Sequence, residues 1–312
     1  MDRDLVVSVP TEELRSALAD TAGIDLLLWD FGSPAPREAI DLVVVPYMSG
    51  PSVLGRLDGV RVQLAQSQSI GYDGVLDALP PHVRFANGAG IHEASTAELA
   101  VGLIIASQRQ IPAYVRAQDR GEWSHERNRA LADSKVLVVG QGGVGRAIVD
   151  RLRPFEVDLV RVASTARADQ DGTIHGIDEL DDLLPTADIV VLAVPLTEGT
   201  RGMVDAGFLD RMRRGALLVN VARGAVVRTD DLVTAVREGR VRAALDVVDP
   251  EPLPSDHPLW RLDDVLLTPH VGGHTSAMLP RVVRLVREQI AALRAGQQPR
   301  NVVVEPGSRS TA

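Results

Sequence analysis

The sequence predicts an α/β protein of two domains, in which a doubly wound parallel sheet is accompanied by a smaller α/β domain. Three observations support this fold class. The chain has 312 residues, which is enough for two hydrophobic cores. Short apolar runs alternate with helix-like segments, as in parallel sheets joined by helices. The alternation stops at a polar stretch, residues 120–132, and then resumes, which separates two series.

The first series predicts the smaller domain, of flavodoxin-like type. Its apolar runs at residues 5–9, 26–29, 42–45, 60–65 and 83–86 predict strands, because each is short and rich in aliphatic side chains. Residues 11–19 predict a helix, since Thr11 is a good N-cap and acidic residues follow it. Residues 98–111 are apolar on nearly every side and predict a buried helix joining the two domains. The polar stretch, with its single Trp123, predicts a loop.

The second series predicts the doubly wound, Rossmann-type sheet. Its strands are expected at residues 136–139, 159–163, 189–194, 217–221, 243–247 and 265–267. A helix is expected at 230–238, capped by Thr229, and a long amphipathic helix at 277–295. This last helix and a strand at 301–304 would return to the first domain. We therefore predict a substrate domain of residues 1–97 and 283–312 and a dinucleotide-binding domain of residues 98–282.

Composition excludes several classes of function. A net charge of −9 and an isoelectric point near 5.3 argue against nucleic-acid and anionic-membrane partners. No apolar run approaches the ~18 residues of a membrane span, and the first residues do not resemble a signal peptide. The chain has no cysteine and one lysine, Lys135, so catalysis must depend on His, Arg, acidic or hydroxyl groups. A cytoplasmic enzyme without a metal site is expected.

A glycine-rich turn at residues 140–145 is the strongest motif. An apolar run ends in Gly-x-Gly-x-x-Gly, and an amphipathic helical segment follows at once. Gly140 would permit the tight turn, Gly142 would let the backbone approach a pyrophosphate, and Gly145 would let the helix pack against the strand. The helix N-terminus would offer its amides to phosphates. The pattern predicts a dinucleotide site; the alternative is a plain glycine-rich connection.

Three polar side chains follow predicted strands of the second sheet. Arg223 follows residues 217–221, Glu251 follows 243–247 and His270 follows 265–267, so all three are expected at the edge where ligands bind in open α/β sheets. A carboxylate beside an imidazole makes an acid–base pair, and an arginine holds a substrate carboxylate. With a nicotinamide, the set would allow hydride transfer to a 2-keto acid. Taken singly, a histidine after a strand is more often a loop residue, Arg223 is more often a surface or capping residue, and Glu251 could be a solvated turn carboxylate.

The second half of the chain resembles the D-isomer-specific 2-hydroxyacid dehydrogenase family. Five ordered motifs carry the resemblance, at residues 139–145, 194–200, 219–224, 245–252 and 268–273, the last reading Thr-Pro-His-Val-Gly-Gly. The resemblance implies that Arg223, Glu251 and His270 form the catalytic set. It implies a substrate-carboxylate loop at Ser69, Ile70 and Gly71, with Tyr47 as a candidate wall of the pocket. The cofactor contacts that the motifs and the glycine-rich turn predict are Gly140, Gly142, Gly143, Val144, Gly145, Ser164, Thr165, Arg167, Val194, Pro195, Thr200, Val221, Ala222, Asp246, Gly272 and Gly273.

One departure from the family pattern concerns the choice of cofactor. Members that use NAD carry an acid at the end of the second strand, where it binds the ribose 2′-hydroxyl. Here that region contains Ser164, Thr165 and Arg167, and no acid occurs before Asp169. We therefore expect NADP to be preferred over NAD, although loss of the acid alone would still permit NAD.

The resemblance implies a reductase of a small 2-keto acid such as glyoxylate or hydroxypyruvate, acting as a homodimer built on the dinucleotide domains. A non-catalytic protein that senses NAD(P) on the same scaffold is the alternative. A methyltransferase would leave Arg223, Glu251 and His270 unexplained. His274 is a further candidate for the pocket, or simply a loop residue.

Overall fold

The structure, a computed structural model, describes residues 3–308 and divides into two compact units. One unit contains the chain up to His92 and from Ser276 onward, and the other contains Glu93–Thr275. The predicted divisions at 97/98 and 282/283 fall inside two continuous helices, which begin at Glu93 and Met278. Residues 1–2 and 309–312 of the predicted substrate domain lie outside the described residues. The assignment of one unit to substrate and the other to dinucleotide remains a prediction.

The described residues form strands and α-helices that we number in chain order. The strands are β1 (Leu5–Val9), β2 (Ile24–Leu28), β3 (Ala39–Val44), β4 (Arg61–Gln66), β5 (Phe85–Ala86), β6 (Lys135–Val139), β7 (Asp158–Ala163), β8 (Arg167–Asp169), β9 (Gly172–Gly176), β10 (Ile189–Leu192), β11 (Ala216–Asn220), β12 (Val241–Leu245), β13 (Val265–Leu267) and β14 (Val302–Val304). The helices are α1 (Glu12–Leu18), α2 (Val75–Ala78), α3 (Glu93–Gln108), α4 (Ile111–Asp119), α5 (Gly143–Leu152), α6 (Leu180–Leu183), α7 (Ala206–Arg211), α8 (Thr229–Arg237) and α9 (Met278–Arg294).

The first unit has a flavodoxin-like sheet, as predicted. Its strand order is β2-β1-β3-β4-β5, all parallel, and β14 adds an antiparallel edge beside β5. This is the doubly wound order 2-1-3-4-5. Helices α1 and α9 cover one face of the sheet, where Leu14 and Val286 pack with the strand residues Val7 and Leu42. The opposite face buries a second cluster around Trp29 and Phe85.

The second unit contains the Rossmann-type sheet. Its strand order is β13-β12-β11-β10-β6-β7-β9-β8, and β6, β7, β9, β10, β11, β12 and β13 run parallel. Side chains alternate between the two faces: Val136 and Val138 pack with α3 and α5, whereas Leu137 and Val139 pack with α6, α7 and α8. Both faces of the sheet are thus buried, which explains why these strands are almost continuously apolar.

Several elements differ from the sequence-based expectations. Helix α3 spans Glu93–Gln108 and not residues 98–111. Its first turn includes buried polar residues, such as Ser95 and Thr96, and Gln110, in a left-handed conformation, separates it from α4. The predicted cap Thr229 is the first residue of α8, and its hydroxyl donates to the Asp249 carbonyl at 2.6 Å. The antiparallel pair β8–β9 was not predicted. Most other strand ends differ by one or two residues.

Residues 121–134 carry no helix or strand, so the predicted loop is confirmed, and Trp123 on it is 98% exposed. No helix within residues 3–308 is both long and apolar enough to cross a bilayer. Within the same residues, no group of three or more His, Asp or Glu side chains is arranged to hold a metal ion.

Candidate active site

The glycine-rich turn joins β6 to α5 through contacts that exclude side chains. Gly140 has a φ of 108°, and a Cβ atom there would overlap the Ala193 carbonyl at the end of β10. A Cβ at Gly145 would overlap the carbonyl oxygen of Gly140. Any larger residue at either position would therefore separate the helix from the sheet. The observed close packing agrees with the roles predicted for both glycines.

The N-terminus of α5 forms an open backbone cradle. Gly142 is its N-cap residue, no side chain caps the helix, and nothing lies within 4 Å of where a Cβ atom of Gly142 would be. Gly143 and Val144 begin the helix, which is 10 residues long. Unpaired amides at a helix N-terminus, next to an open glycine surface, suit a pyrophosphate. These residues therefore fit a dinucleotide.

The loop after β10 lies beside this cradle, because β10 pairs with β6. It contains Val194 and Pro195 and is closed by Thr200, whose hydroxyl accepts from the Thr197 amide at 2.8 Å and donates to the Pro195 carbonyl at 2.6 Å. Thr200 thus shapes the loop, whatever contact it makes with a ligand. On the other side of β6, β7 ends at Ala163.

The segment after β7 carries the residues predicted to face the ribose. Ser164 and Thr165 are exposed, and Arg167 begins β8. Asp169, the first acid after β7, forms a bidentate ion pair with Arg161, with both N–O distances 2.9 Å. The hydrogen bonds from Arg161 lower the pKa of Asp169 below its usual value. The carboxylate is therefore ionised and already paired with an arginine of its own domain.

Arg223 lies at the carboxyl end of β11 in a loop that buried groups organise. Asn220 is 1% exposed; its side-chain amide donates to the Arg223 carbonyl at 2.9 Å, and its Oδ1 accepts from the Ala222 amide at 3.0 Å. The adjacent Gly224 lies so close to the Val248 carbonyl that a Cβ atom would overlap it. The loop of Arg223, which also includes the predicted contact residue Val221, is thereby fixed against the segment that leads to Glu251.

Glu251 and His270 form the pair that the sequence predicted. The Glu251 Oε1 and His270 Nδ1 atoms are 2.5 Å apart, although the residues are 19 positions apart in the chain. An ionised carboxylate only accepts hydrogen bonds, so Nδ1 carries the hydrogen and Nε2 is available for a substrate. Both side chains are partly exposed, His270 to 28% and Glu251 to 36%, so a ligand can reach them.

Asp246 holds the loop that carries His270. Its carboxylate, on a residue that is 3% exposed, accepts from the Thr268 hydroxyl at 2.7 Å and from the amides of Val271 and Gly272, both at 2.9 Å. The His270 amide donates to the Asp246 carbonyl at 2.8 Å. His270 itself has a φ of 54°, a left-handed conformation that needs such support in a residue with a side chain.

The predicted substrate-carboxylate loop belongs to the first unit and follows β4. The carbonyls of Ser69 and Ile70 accept from the Gly88 amide at 2.7 Å and the Asn87 side chain at 2.8 Å. Within residues 3–308, the amides of Ile70 and Gly71 form no hydrogen bond. This arrangement leaves two adjacent donors on a fixed backbone, as the predicted role requires.

His92 and Tyr47 lie against this loop. His92 is 5% exposed, and its Nε2 is 2.7 Å from the Gln68 carbonyl, one residue before the loop. The rings of Tyr47 and His92 have their centroids 5.3 Å apart. Sequence reasoning assigned nothing to His92, because it matches no motif. The only available signal was a histidine among small residues at the start of a buried helix.

Comparison with known proteins finds related sequences and structures. A family model described as D-isomer specific 2-hydroxyacid dehydrogenase, NAD binding domain, matches residues 101–272. A Mus musculus protein named glyoxylate reductase/hydroxypyruvate reductase is 31% identical over 284 residues, or 84% of this chain and 86% of that protein. A D-3-phosphoglycerate dehydrogenase of Methanocaldococcus jannaschii is 30% identical and covers 97% of this chain, which spans 55% of that protein.

A solved structure gives the same result. The D-isomer specific 2-hydroxyacid dehydrogenase of Xanthobacter autotrophicus Py2, crystallised in complex with NADPH and MES, matches with a TM-score of 0.82 and 28% identity. The match covers 97% of this chain and 98% of that one.

The fold and the site define an oxidoreductase that uses a nicotinamide nucleotide. The glycine cradle fits the dinucleotide, and an acid–base pair lies at the same edge of the sheet. The family match covers more than half of the chain, at residues 101–272. The chain belongs to the D-isomer-specific 2-hydroxyacid dehydrogenase family. It is an NAD(P)-dependent enzyme of 2-hydroxyacid metabolism.

Proposed function

We propose that this enzyme reduces a small 2-keto acid such as glyoxylate or hydroxypyruvate, reversibly, to the D-2-hydroxy acid, with NADPH as the preferred cofactor. The observation that carries the proposal is the 2.5 Å contact between Glu251 and His270 at the edge of the sheet that also holds the glycine cradle. The name of the mouse relative, glyoxylate reductase/hydroxypyruvate reductase, supports this substrate class.

Each proposed catalytic residue has one task. In reduction, His270 acts as the imidazolium: Nε2 gives its proton to the substrate oxygen and the ring becomes neutral, with its hydrogen on Nδ1. In the reverse direction Nε2 takes the proton back. Glu251 keeps the other ring nitrogen protonated and fixes the ring orientation. Arg223 presents a planar fork to the substrate carboxylate and carbonyl, and the amides of Ile70 and Gly71 bind the carboxylate. The residues of the glycine cradle would hold the dinucleotide, whose nicotinamide would supply the hydride chemistry at C2 of the substrate.

The preference for NADPH follows from the charges near the end of β7. The first acid after β7 in the sequence, Asp169, forms a bidentate pair with Arg161, which balances its charge. Arg167 donates to the Thr165 carbonyl at 3.2 Å and forms no ion pair within the described residues, so its charge remains available for a 2′-phosphate. The Xanthobacter relative was crystallised with NADPH.

The test is a screen of 2-keto acids with each cofactor, followed by nicotinamide absorbance, on the parent enzyme and on His270→Ala. We expect glyoxylate or hydroxypyruvate to be reduced with NADPH. The variant should lose about 10²–10⁴-fold in kcat, the usual contribution of a general acid, while its affinity for NADPH changes little. Tight cofactor binding without turnover of any 2-keto acid would instead support an NAD(P)-sensing protein.

We also propose that the enzyme is a homodimer built on the second unit. Ile111 and Val115 on α4 are 43% and 52% exposed, and Trp123 on the following loop is 98% exposed. Closed two-fold symmetry would cover these apolar side chains with their counterparts. Light scattering at micromolar concentration should give twice the 33.5 kDa mass of the chain, whereas a monomer would contradict the proposal. The proposed location is the cytoplasm, whose reducing conditions suit any chain without disulfides.

A further inference from the structure

A buried arginine lies at the amino edge of the second sheet, where its parallel strands begin. His270 lies at the opposite, carboxyl edge, where the strands end. Arg242 is the second residue of β12, a strand whose other residues are all apolar and buried. It is 8% exposed. A charged residue inside a central parallel strand is unusual, because moving a charge out of water is costly unless an opposite charge compensates for it.

The groups that bind Arg242 are all neutral. Its Nη2 donates to Gln108 Oε1 at 2.6 Å, Nη1 donates to the Ser107 carbonyl at 3.3 Å, and Nε donates to the Gly215 carbonyl at 3.2 Å. The bonds to Ser107 and Gln108 join Arg242 to the last turn of α3, but none of the three balances its charge. Within residues 3–308, no carboxylate forms an ion pair with Arg242.

The electrostatic environment agrees with this geometry. Burial and, to a lesser extent, the positive charge of Arg129 lower the pKa of Arg242, and Asp264 opposes both effects, so that the pKa is about 10. The guanidinium is nevertheless protonated at neutral pH. Arg129 therefore repels the guanidinium of Arg242, which is already buried away from water.

Arg242 lines a cavity of about 330 Å³ together with two more arginines, Arg127 and Arg129. Arg129 also donates to the Gly215 carbonyl, so two guanidinium groups converge on one backbone oxygen. Asp264 contributes the one acidic side chain of the lining. Three positive charges and one negative charge therefore surround this cavity in a protein whose net charge is −9.

We propose that this cavity binds a small multivalent oxyanion, a phosphate or a dicarboxylate. Each guanidinium has five N–H donors, of which Arg242 uses three and Arg129 uses one within the described residues, so donors remain for such a ligand. The volume lies at the lower end of the roughly 300–1,000 Å³ of ligand pockets, which favours a small ion over a nucleotide. Binding would stabilise the second unit by supplying the missing countercharge.

The experiment measures Tm of the NADPH-saturated enzyme, in which the cofactor occupies the dinucleotide cradle. Inorganic phosphate and succinate are titrated in separate arms at constant ionic strength, with chloride as the reference salt. The variants are Arg129→Gln, Asp264→Asn and, as a matched control, Arg56→Gln, which removes an exposed arginine of the first unit. The arm with the lower half-saturating concentration identifies the class of ligand.

The parent and Arg56→Gln should gain Tm in at least one arm at equal concentrations of the anion. Arg129→Gln should raise the half-saturating concentration about tenfold, since it loses one charge-assisted contact, and Asp264→Asn should lower it. Equal responses of Arg129→Gln and Arg56→Gln would overturn the proposal, as would a gain no larger than that with chloride. Dissociation of Arg129→Gln into monomers, with no anion response in the parent, would assign the cavity to a protein contact and would also overturn it.

Discussion

The two edges of the eight-stranded sheet bury charges of opposite sign, and they satisfy those charges differently. At the carboxyl edge, the Asp246 carboxylate receives three hydrogen bonds from the loop that carries His270. At the amino edge, Arg242 donates only to neutral oxygens and has a second arginine, Arg129, nearby. Asp246 is 3% exposed and Arg242 is 8% exposed, so both charges are removed from water to a similar degree.

The difference separates two uses of a buried charge. The Asp246 carboxylate is hydrogen-bonded within the fold, so it makes one backbone conformation of residues 268–272 more stable than others. Arg242 keeps an unbalanced charge, so its surroundings favour an added anion. The same contrast occurs within the β8–β9 region, where Arg161 is paired with Asp169 and Arg167 forms no ion pair within residues 3–308.

The largest effect is expected from Asp246→Asn, which removes the buried negative charge at the carboxyl edge. The amide group cannot accept from both Val271 and Gly272, so the loop should relax and displace His270. A displacement of about 1 Å in an active site costs on the order of 10²-fold in rate, so we expect kcat to fall by about that factor. The NADPH dissociation constant should change much less.

Asp263→Asn is the matched control for this variant, because Asp263 is exposed and precedes β13 in the same unit. It should leave kcat and Tm unchanged. If Asp246→Asn weakens NADPH binding but leaves kcat intact, the carboxylate acts through the cofactor, as the family resemblance implied, and does not position His270.

The sequence predicted the strands well where apolar runs define them. Strands β1 and β13 begin and end as predicted, whereas β6, β7 and β4 include a polar residue at one end that still pairs with the neighbouring strand. The hairpin of β8 and β9 has one sequence signal, the turn pair Asp171-Gly172, but residues 167–176 lack the apolar alternation that predicts the strands on either side of a turn. Strand β9 also pairs with β7, which ends only a short polar segment earlier in the chain.

The site was partly predictable for a similar reason. Strand ends placed Glu251 and His270 at one edge, and the structure brings them into contact. The hydrogen bonds by which Asn220 and Asp246 hold their loops could not be predicted. They join side chains to loop amides, and these groups come together only after the strands have paired. The apolar run that predicts β12 begins at Ala243 and therefore excludes Arg242, although β12 begins at Val241.

An intermediate effect is expected from Arg167→Ala. Removing this charge should reduce the preference for NADPH over NADH about tenfold to a hundredfold in kcat/KM, the usual value of one charge-assisted contact to a phosphate. Arg153→Ala is the control, since Arg153 follows the far end of α5 and pairs with Asp171. Equal kcat/KM of the parent with NADPH and NADH would show that the absence of an acid at the end of β7 only permits both cofactors. A strong preference for NADH would contradict the assignment of Arg167 to the 2′-phosphate.

The smallest effect is expected from Arg242→Met in a buffer free of multivalent anions, and this variant tests the comparison most directly. Methionine keeps the length and packing of the side chain, and it removes a buried charge whose desolvation is offset only in part by Asp264. The variant also loses three hydrogen bonds, all to neutral acceptors. The stability gained by removing the buried charge and the stability lost with these bonds should nearly cancel. Tm should stay within about 2–4 °C of the parent, the shift caused by ~1 kcal/mol in a domain of this size.

Adding phosphate or succinate should then separate the two proteins, because only the parent retains the charge that the anion would balance. A fall in Tm of more than about 10 °C without any anion would mean that Arg242 is needed to cap α3 and is satisfied by its neutral partners. In that case both edges of the sheet would use buried charge in the same way, and the contrast between Asp246 and Arg242 would not hold.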